Sequence, residues 1–186
     1  MSDRGAGEFL ARLAGKLTEA GIPHMVVGSF ASSFHGIPRS SQDLDLVIDP
    51  GADSLQRFLA SLPPAEYYAD ADAALDALRR RGQFNVIDMA TAWKADLIVR
   101  KARAFSVQEM GRRTEAELLG AQVFVASAED TLIAKLEWAG LGGGSELQLR
   151  DASGIVQLRA GDLDRAYIER WIKELGLEDL WHQVRG

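Results

Sequence analysis

Two aspartates alternate with leucines in the run Asp43-Leu44-Asp45-Leu46. In a β-strand, side chains two residues apart share a face. Asp43 and Asp45 therefore point one way, while Leu44, Leu46 and Ile48 point the other way, into a core. Carboxylates with Cβ atoms roughly 7 Å apart are costly to hold without a cation. A divalent metal, most simply Mg²⁺, resolves the repulsion through oxygen ligands. Upstream, the pair Gly28-Ser29 follows the apolar run Met25-Val26-Val27. A helix starting there offers backbone N–H groups and partial positive charge, which suit a phosphate. Gly28 lets the backbone approach closely. The Ser29 hydroxyl can bond a phosphate oxygen, cap the helix, or do both. The chemistry these residues suit is phosphate chemistry at a metal.

The surrounding pattern supplies the elements that position them. Glu8 to Ala20 reads as a helix, with Phe9, Leu10, Leu13 and Leu17 on one face and Gly21 ending it. Ile22 to Val27 reads as a strand. A short helix over Phe30 to Phe34 follows Gly28-Ser29, and Gly36-Ile37-Pro38 breaks it. Asp43 to Ile48 is the second strand. Helices are expected over Ser54 to Ser61 and Ala71 to Arg81, with a short strand at Tyr67-Tyr68 between them. Phe84 to Met89 and Ala95 to Val99 read as a hairpin, and Val123 to Val125 as a last strand. From Ser127 onward the pattern is helical, with Gly140 to Ser145 as the expected hinge. The fold class is thus α+β, a small mixed sheet flanked by helices with a helical C-terminal part. The boundary falls between a core over 1–126 and an extension over 127–186.

Bulk properties narrow the function classes. The chain has 186 residues, 47% of them hydrophobic, and a net charge of −6. That length supports one domain, or a compact core with a small helical extension. The acidic excess is spread over both halves, which argues against a general nucleic-acid coat protein. There is no cysteine, so disulfides, zinc thiolates and thiol nucleophiles are excluded. No apolar run reaches 18 residues, so no membrane helix is expected. The N-terminal pattern is amphipathic rather than signal-like, and a cytoplasmic protein is the expectation. Gly142-Gly143-Gly144-Ser145 lacks the following Lys-Ser/Thr of a P-loop.

With these residues in view, the chain resembles the nucleotidyltransferase superfamily that includes DNA polymerase beta and the minimal nucleotidyltransferases. The resemblance rests on Val27-Gly28-Ser29, the spacer 30–42, and Asp43-Leu44-Asp45. It implies a third carboxylate on a later strand, Asp96 in Lys94-Ala95-Asp96-Leu97-Ile98-Val99. Within the superfamily the chain looks closest to AbiEii-like toxins and related uncharacterised proteins. Gly36-Ile37-Pro38-Arg39-Ser40-Ser41-Gln42-Asp43 fits their run into the acidic strand, with Ser41 where threonine is common. Glu129-Asp130, Lys135 and Arg150-Asp151 match more loosely.

The resemblance implies Mg²⁺-dependent transfer of a nucleoside monophosphate from an NTP such as ATP to an acceptor hydroxyl, with release of pyrophosphate. The acceptor would be a protein, a tRNA end or a small molecule. It implies Asp43, Asp45 and Asp96 as catalytic and metal residues of a two-metal site. Gly28, Ser29, Arg39, Ser41 and Lys135 would bind nucleotide. A catalytically silent binding module, or a toxin component with an antitoxin partner, are the alternatives. Plainer roles compete residue by residue. Arg39 would neutralise Asp43 or Asp49, and Lys135 would form a solvated ion pair with Glu129 or Asp130. Asp88 competes as the third acid. His24, His35 and His182 lack metal-ligand spacing and read as structural. Trp138, Trp171 and Trp181 read as core.

Overall fold

The computed structural model describes residues 3–142 and 145–185. Gly143 and Gly144, within the expected hinge, lie outside the described residues. The chain divides into two compact units, Met1–Val26 with Ser41–Val125, and Val27–Ser40 with Ala126–Gly186.

The first unit is built on a seven-stranded mixed sheet. Its strands are β1 (His24–Val26), β2 (Asp43–Ile48), β3 (Tyr67–Ala69), β4 (Gln83–Asp88), β5 (Lys94–Val99), β6 (Thr114–Leu118) and β7 (Ala121–Val125), in the order β3-β4-β5-β2-β1-β7-β6. The expected hairpin forms between β4 and β5. β2 lies parallel to β5, and β1 parallel to β7. In β2 and β5 alternate residues are buried, as period-2 patterning requires. Leu44, Leu46, Ile48, Ala95, Leu97 and Val99 form the buried face. Helices α1 (Asp3–Glu19), α3 (Ala52–Ala60), α4 (Ala71–Arg80) and α5 (Ala104–Gly111) belong to the same unit. The apolar stripe read from the sequence of α1, Phe9, Leu10, Leu13 and Leu17, is fully buried.

The sheet has one strand more than expected because β6 escapes sequence patterning, and helix α5 escapes it as well. β6 reads Thr-Glu-Ala-Glu-Leu, and only Leu118 in it is buried, as suits a polar edge strand. α5 buries Phe105 and Met110 together with the polar Ser106 and Glu109, which blurs its helical stripe.

The second unit is helical. It holds α2 (Gly28–His35), α6 (Ala128–Leu141), α7 (Glu146–Arg159), α8 (Arg165–Leu175) and α9 (Glu178–Val184). α2 packs on α6 and α7. The approach is close at Gly36, where an added Cβ would lie 2.9 Å from the Ile155 nitrogen and 3.0 Å from the Gly154 carbonyl carbon. Trp171 and Trp181 are core residues, whereas Trp138 is 60% exposed on α6.

Candidate active site

In the first unit, strand register brings the three predicted carboxylates onto one face. Asp45 stands opposite Asp96 across the parallel β2–β5 pair, and Asp43 stands opposite Lys94. Asn85 of β4 continues the row from Asp96. The buried parity belongs to the leucines, so the acids sit on the other, more open face of the sheet. The Ser41 hydroxyl donates to the Asp43 backbone carbonyl at 3.2 Å and so ties down the entry to β2.

Lys94 is the feature the sequence reading missed. Its Nζ lies 3.5 Å from Asp43 Oδ1 and 3.3 Å from Asp96 Oδ1, and it donates to Asp96 Oδ2 at 3.4 Å. Desolvation pulls its pKa down. The hydrogen bond and charge of Asp96, then the charge and hydrogen bond of Asp43, outweigh it and hold the ammonium above the usual lysine range. Lys94 precedes Asp96 by two residues in a strand, so the parity that placed the aspartates also places this lysine among them.

The donors on this face are carboxylate oxygens, which suit a hard cation. Asp96 Oδ1 is buried and accepts no hydrogen bond, its Lys94 contact being an ion pair only. Asp43 and Asp96 already share one cation, the ammonium. Among the described residues, no three acidic or histidine side chains are gathered closely enough to hold a metal as they stand. The rival third acid, Asp88, occupies the opposite parity in β4. It is 2% exposed, paired with Arg12 at 3.1 Å and bonded by the Thr91 hydroxyl.

In the second unit, α2 begins at Gly28, whose φ of 63° lies in the left-handed region. A side chain there would be strained, which explains a glycine at this turn. Val27 is the N-cap and gives no side-chain cap, and no acid lies in the first turn. Ser29 is buried in that turn.

Arg39 and Lys135 come together in this unit, on a carboxylate that they share. Asp151 of α7 accepts from Lys135 Nζ at 2.8 Å, from Arg39 Nε at 3.1 Å and from the Ser32 hydroxyl at 3.3 Å. The Lys135 and Asp151 side chains are 5% and 4% exposed. Neither plainer expectation for the two cations holds, because Arg39 pairs with Asp151 rather than Asp43 or Asp49, and Lys135 is buried rather than solvated. Ser127 caps α6 by accepting from the Asp130 N–H, and the Asp130 carboxylate accepts from the Ser127 hydroxyl at 2.6 Å and from the Tyr167 hydroxyl at 2.5 Å.

No family model matches the chain, and no curated protein matches it. Solved structures do, and the chain has the nucleotidyltransferase fold. ANT(2″)-Ia in complex with adenylyl-2″-tobramycin superposes with a TM-score of 0.59 at 12% identity, over 96% of this chain and 98% of that one. An antigenic nucleotidyltransferase-like protein from Paracoccidioides brasiliensis gives 0.55 at 16% identity, over 96% and 91%. The lincosamide antibiotic adenylyltransferase LnuA, lincomycin-bound, gives 0.52 at 11% identity, over 81% and 96%. Among the described residues, no helix is long and apolar enough to cross a membrane.

Proposed function

We propose that this chain is a divalent-metal-dependent nucleotidyltransferase that moves a nucleoside monophosphate from an NTP to an acceptor hydroxyl. The observation that carries this reading is the parallel register that sets Asp45 beside Asp96 and places Asp43 on the same face. Asp43 and Asp45 would hold Mg²⁺. The ion, when bound, would offset the negative charge of the phosphates and of departing pyrophosphate. In the transfer, a bond forms between the acceptor oxygen and the α-phosphorus, and the bond from that phosphorus to pyrophosphate breaks. Asp96 Oδ1 is the atom assigned to take the acceptor's proton. Gly28 and Ser29 are assigned as phosphate ligands from their uncapped helix start. Arg39, Ser41 and Lys135 are kept as nucleotide-binding residues on the family resemblance.

The acceptor we favour is a small polyhydroxylated molecule, since two of the solved structures that this fold matches hold such ligands, adenylyl-2″-tobramycin in ANT(2″)-Ia and lincomycin in LnuA. One observation favours a second reading, a silent nucleotide-binding module: Lys94 already neutralises part of the acid face.

The test is label transfer from α-labelled NTPs with Mg²⁺, run against aminoglycosides, lincosamides, tRNA and whole-protein acceptors. Wild type should release pyrophosphate and label one acceptor class. Asp43→Ala should lose at least about 100-fold in rate while its circular dichroism stays native. Transfer that survives Asp43→Ala would remove the metal assignment. Tight NTP binding without pyrophosphate would select the silent module.

A further inference from the structure

The acid face carries its own cation. We propose that Lys94 occupies one of the two cation positions of the three-carboxylate cluster, so that the face takes a single divalent ion, on Asp43 and Asp45. This rests on the nucleotidyltransferase reading and sets one ion where the family resemblance implies two.

Charge comes first. On β2 and β5 themselves, three carboxylates stand against one ammonium, a difference of two charges that matches one divalent ion. The other residues that register places on this face of β2, β4 and β5 are Val47, Ile98, Gln83, Asn85 and Ile87, and none of them is charged. Lys94 is therefore the sole cation those three strands present there. Geometry comes second. The ammonium lies within 3.4 Å of both oxygens of Asp96 but reaches only Oδ1 of Asp43, at 3.5 Å. Asp96 is its principal partner. Asp43, 48% exposed, is the partner open to an incoming ion. A second divalent ion bridging Asp43 and Asp96 would have to displace a fixed positive charge from between them. Repulsion between a divalent ion and an ammonium a few ångströms away is steep even at high dielectric. Lys94 thereby sets how many ions the face binds and how tightly.

The experiment is a Mn²⁺ titration of the intact chain, read by electron paramagnetic resonance, with thermal unfolding alongside. Wild type should bind one Mn²⁺. Lys94→Gln should bind Mn²⁺ about tenfold more tightly or better, because the competing charge is gone. It should also gain more thermal stability from the ion than wild type does. Lys94→Arg, which keeps the charge, should retain wild-type affinity. Two ions on wild type, or unchanged affinity in Lys94→Gln, would overturn the proposal and leave the nucleotidyltransferase reading standing. Tightening in Lys94→Arg equal to that in Lys94→Gln would also overturn it, since charge would then not be the cause. Failure of wild type and both variants to bind Mn²⁺ would overturn the nucleotidyltransferase reading as well.

Discussion

Asp151 holds two cations at once, and that makes it the most consequential single side chain of the helical unit. Arg39 and Lys135 both donate to it, and Ser32 adds a third hydrogen bond. A buried ion pair is weak evidence of net stabilisation, because desolvation cancels much of the attraction. Removing one partner is another matter, since the remaining charge has no water to turn to. Asp151→Ala leaves Lys135 buried and uncompensated, and should cost about 3–5 kcal/mol in urea unfolding. Arg39→Ala should cost less, because that side chain is 24% exposed and Lys135 keeps its carboxylate. Equal losses from the two substitutions would mean that the network is not centred on Asp151. The partners lie 112 and 16 residues from Asp151 along the chain. That separation is why the pairing is not legible in the sequence, although Arg39, Lys135 and Asp151 each stand in a run that the family resemblance singles out.

At the scale of elements, legibility followed periodicity. β2 and β5 each open with alternating polar and apolar residues before Val47 and Ile98 interrupt the pattern. The side on which Asp43, Asp45 and Asp96 sit could therefore be read directly, with β5 starting one residue earlier than read, at Lys94. α1 carries a clean apolar stripe and ends close to where it was expected, but it starts at Asp3, five residues before the expected Glu8. β6 is polar and buries only Leu118, while α5 puts polar Ser106 and Glu109 into buried positions, and nothing in their spacing separates them from loops. Close approaches between elements leave no periodic trace either. Gly7, in α1, faces the turn between β6 and β7, where an added Cβ would sit 2.1 Å from the Leu119 carbonyl oxygen. Backbone cannot yield there as a side-chain tip would. Gly7→Ala should therefore destabilise the chain by about 1–3 kcal/mol, although alanine favours helices in general. Gly15, in the same helix, meets nothing within 4 Å, so Gly15→Ala should stabilise by about 1 kcal/mol. Denaturant midpoints for the two variants check this: movement in the same direction would show that the α1 contact is not what constrains Gly7.

At the scale of the whole molecule, each unit buries one histidine, and the two give stability a common dependence on pH. In the sheet unit, His24 donates from Nδ1 to the Ile22 carbonyl at 2.9 Å and lies edge-on to Phe124. Burial lowers its pKa, the hydrogen bond opposes that in part, and Arg113 adds to the lowering. In the helical unit, His35 donates from Nε2 to the Ala126 carbonyl at 2.7 Å, and its Nδ1 is buried without a partner. Burial lowers its pKa too; the Ala126 carbonyl and Glu129 oppose the shift and Arg159 adds to it. Both rings are therefore neutral in the folded chain at pH values where the unfolded chain protonates them. The stability they contribute is complete above the unfolded value of 6.5 and is lost as pH falls through that value toward the folded ones. Each histidine should remove up to about 1.4 kcal/mol per pH unit across that window. Down to about pH 5.5 most carboxylates remain ionised, so the histidine contribution is separable there from general acid unfolding. Wild type should lose melting temperature between pH 7.5 and about 5.5, while a His24→Gln, His35→Gln double variant should start lower and fall less steeply. Parallel curves for the two proteins would mean that neither ring is held neutral by the fold.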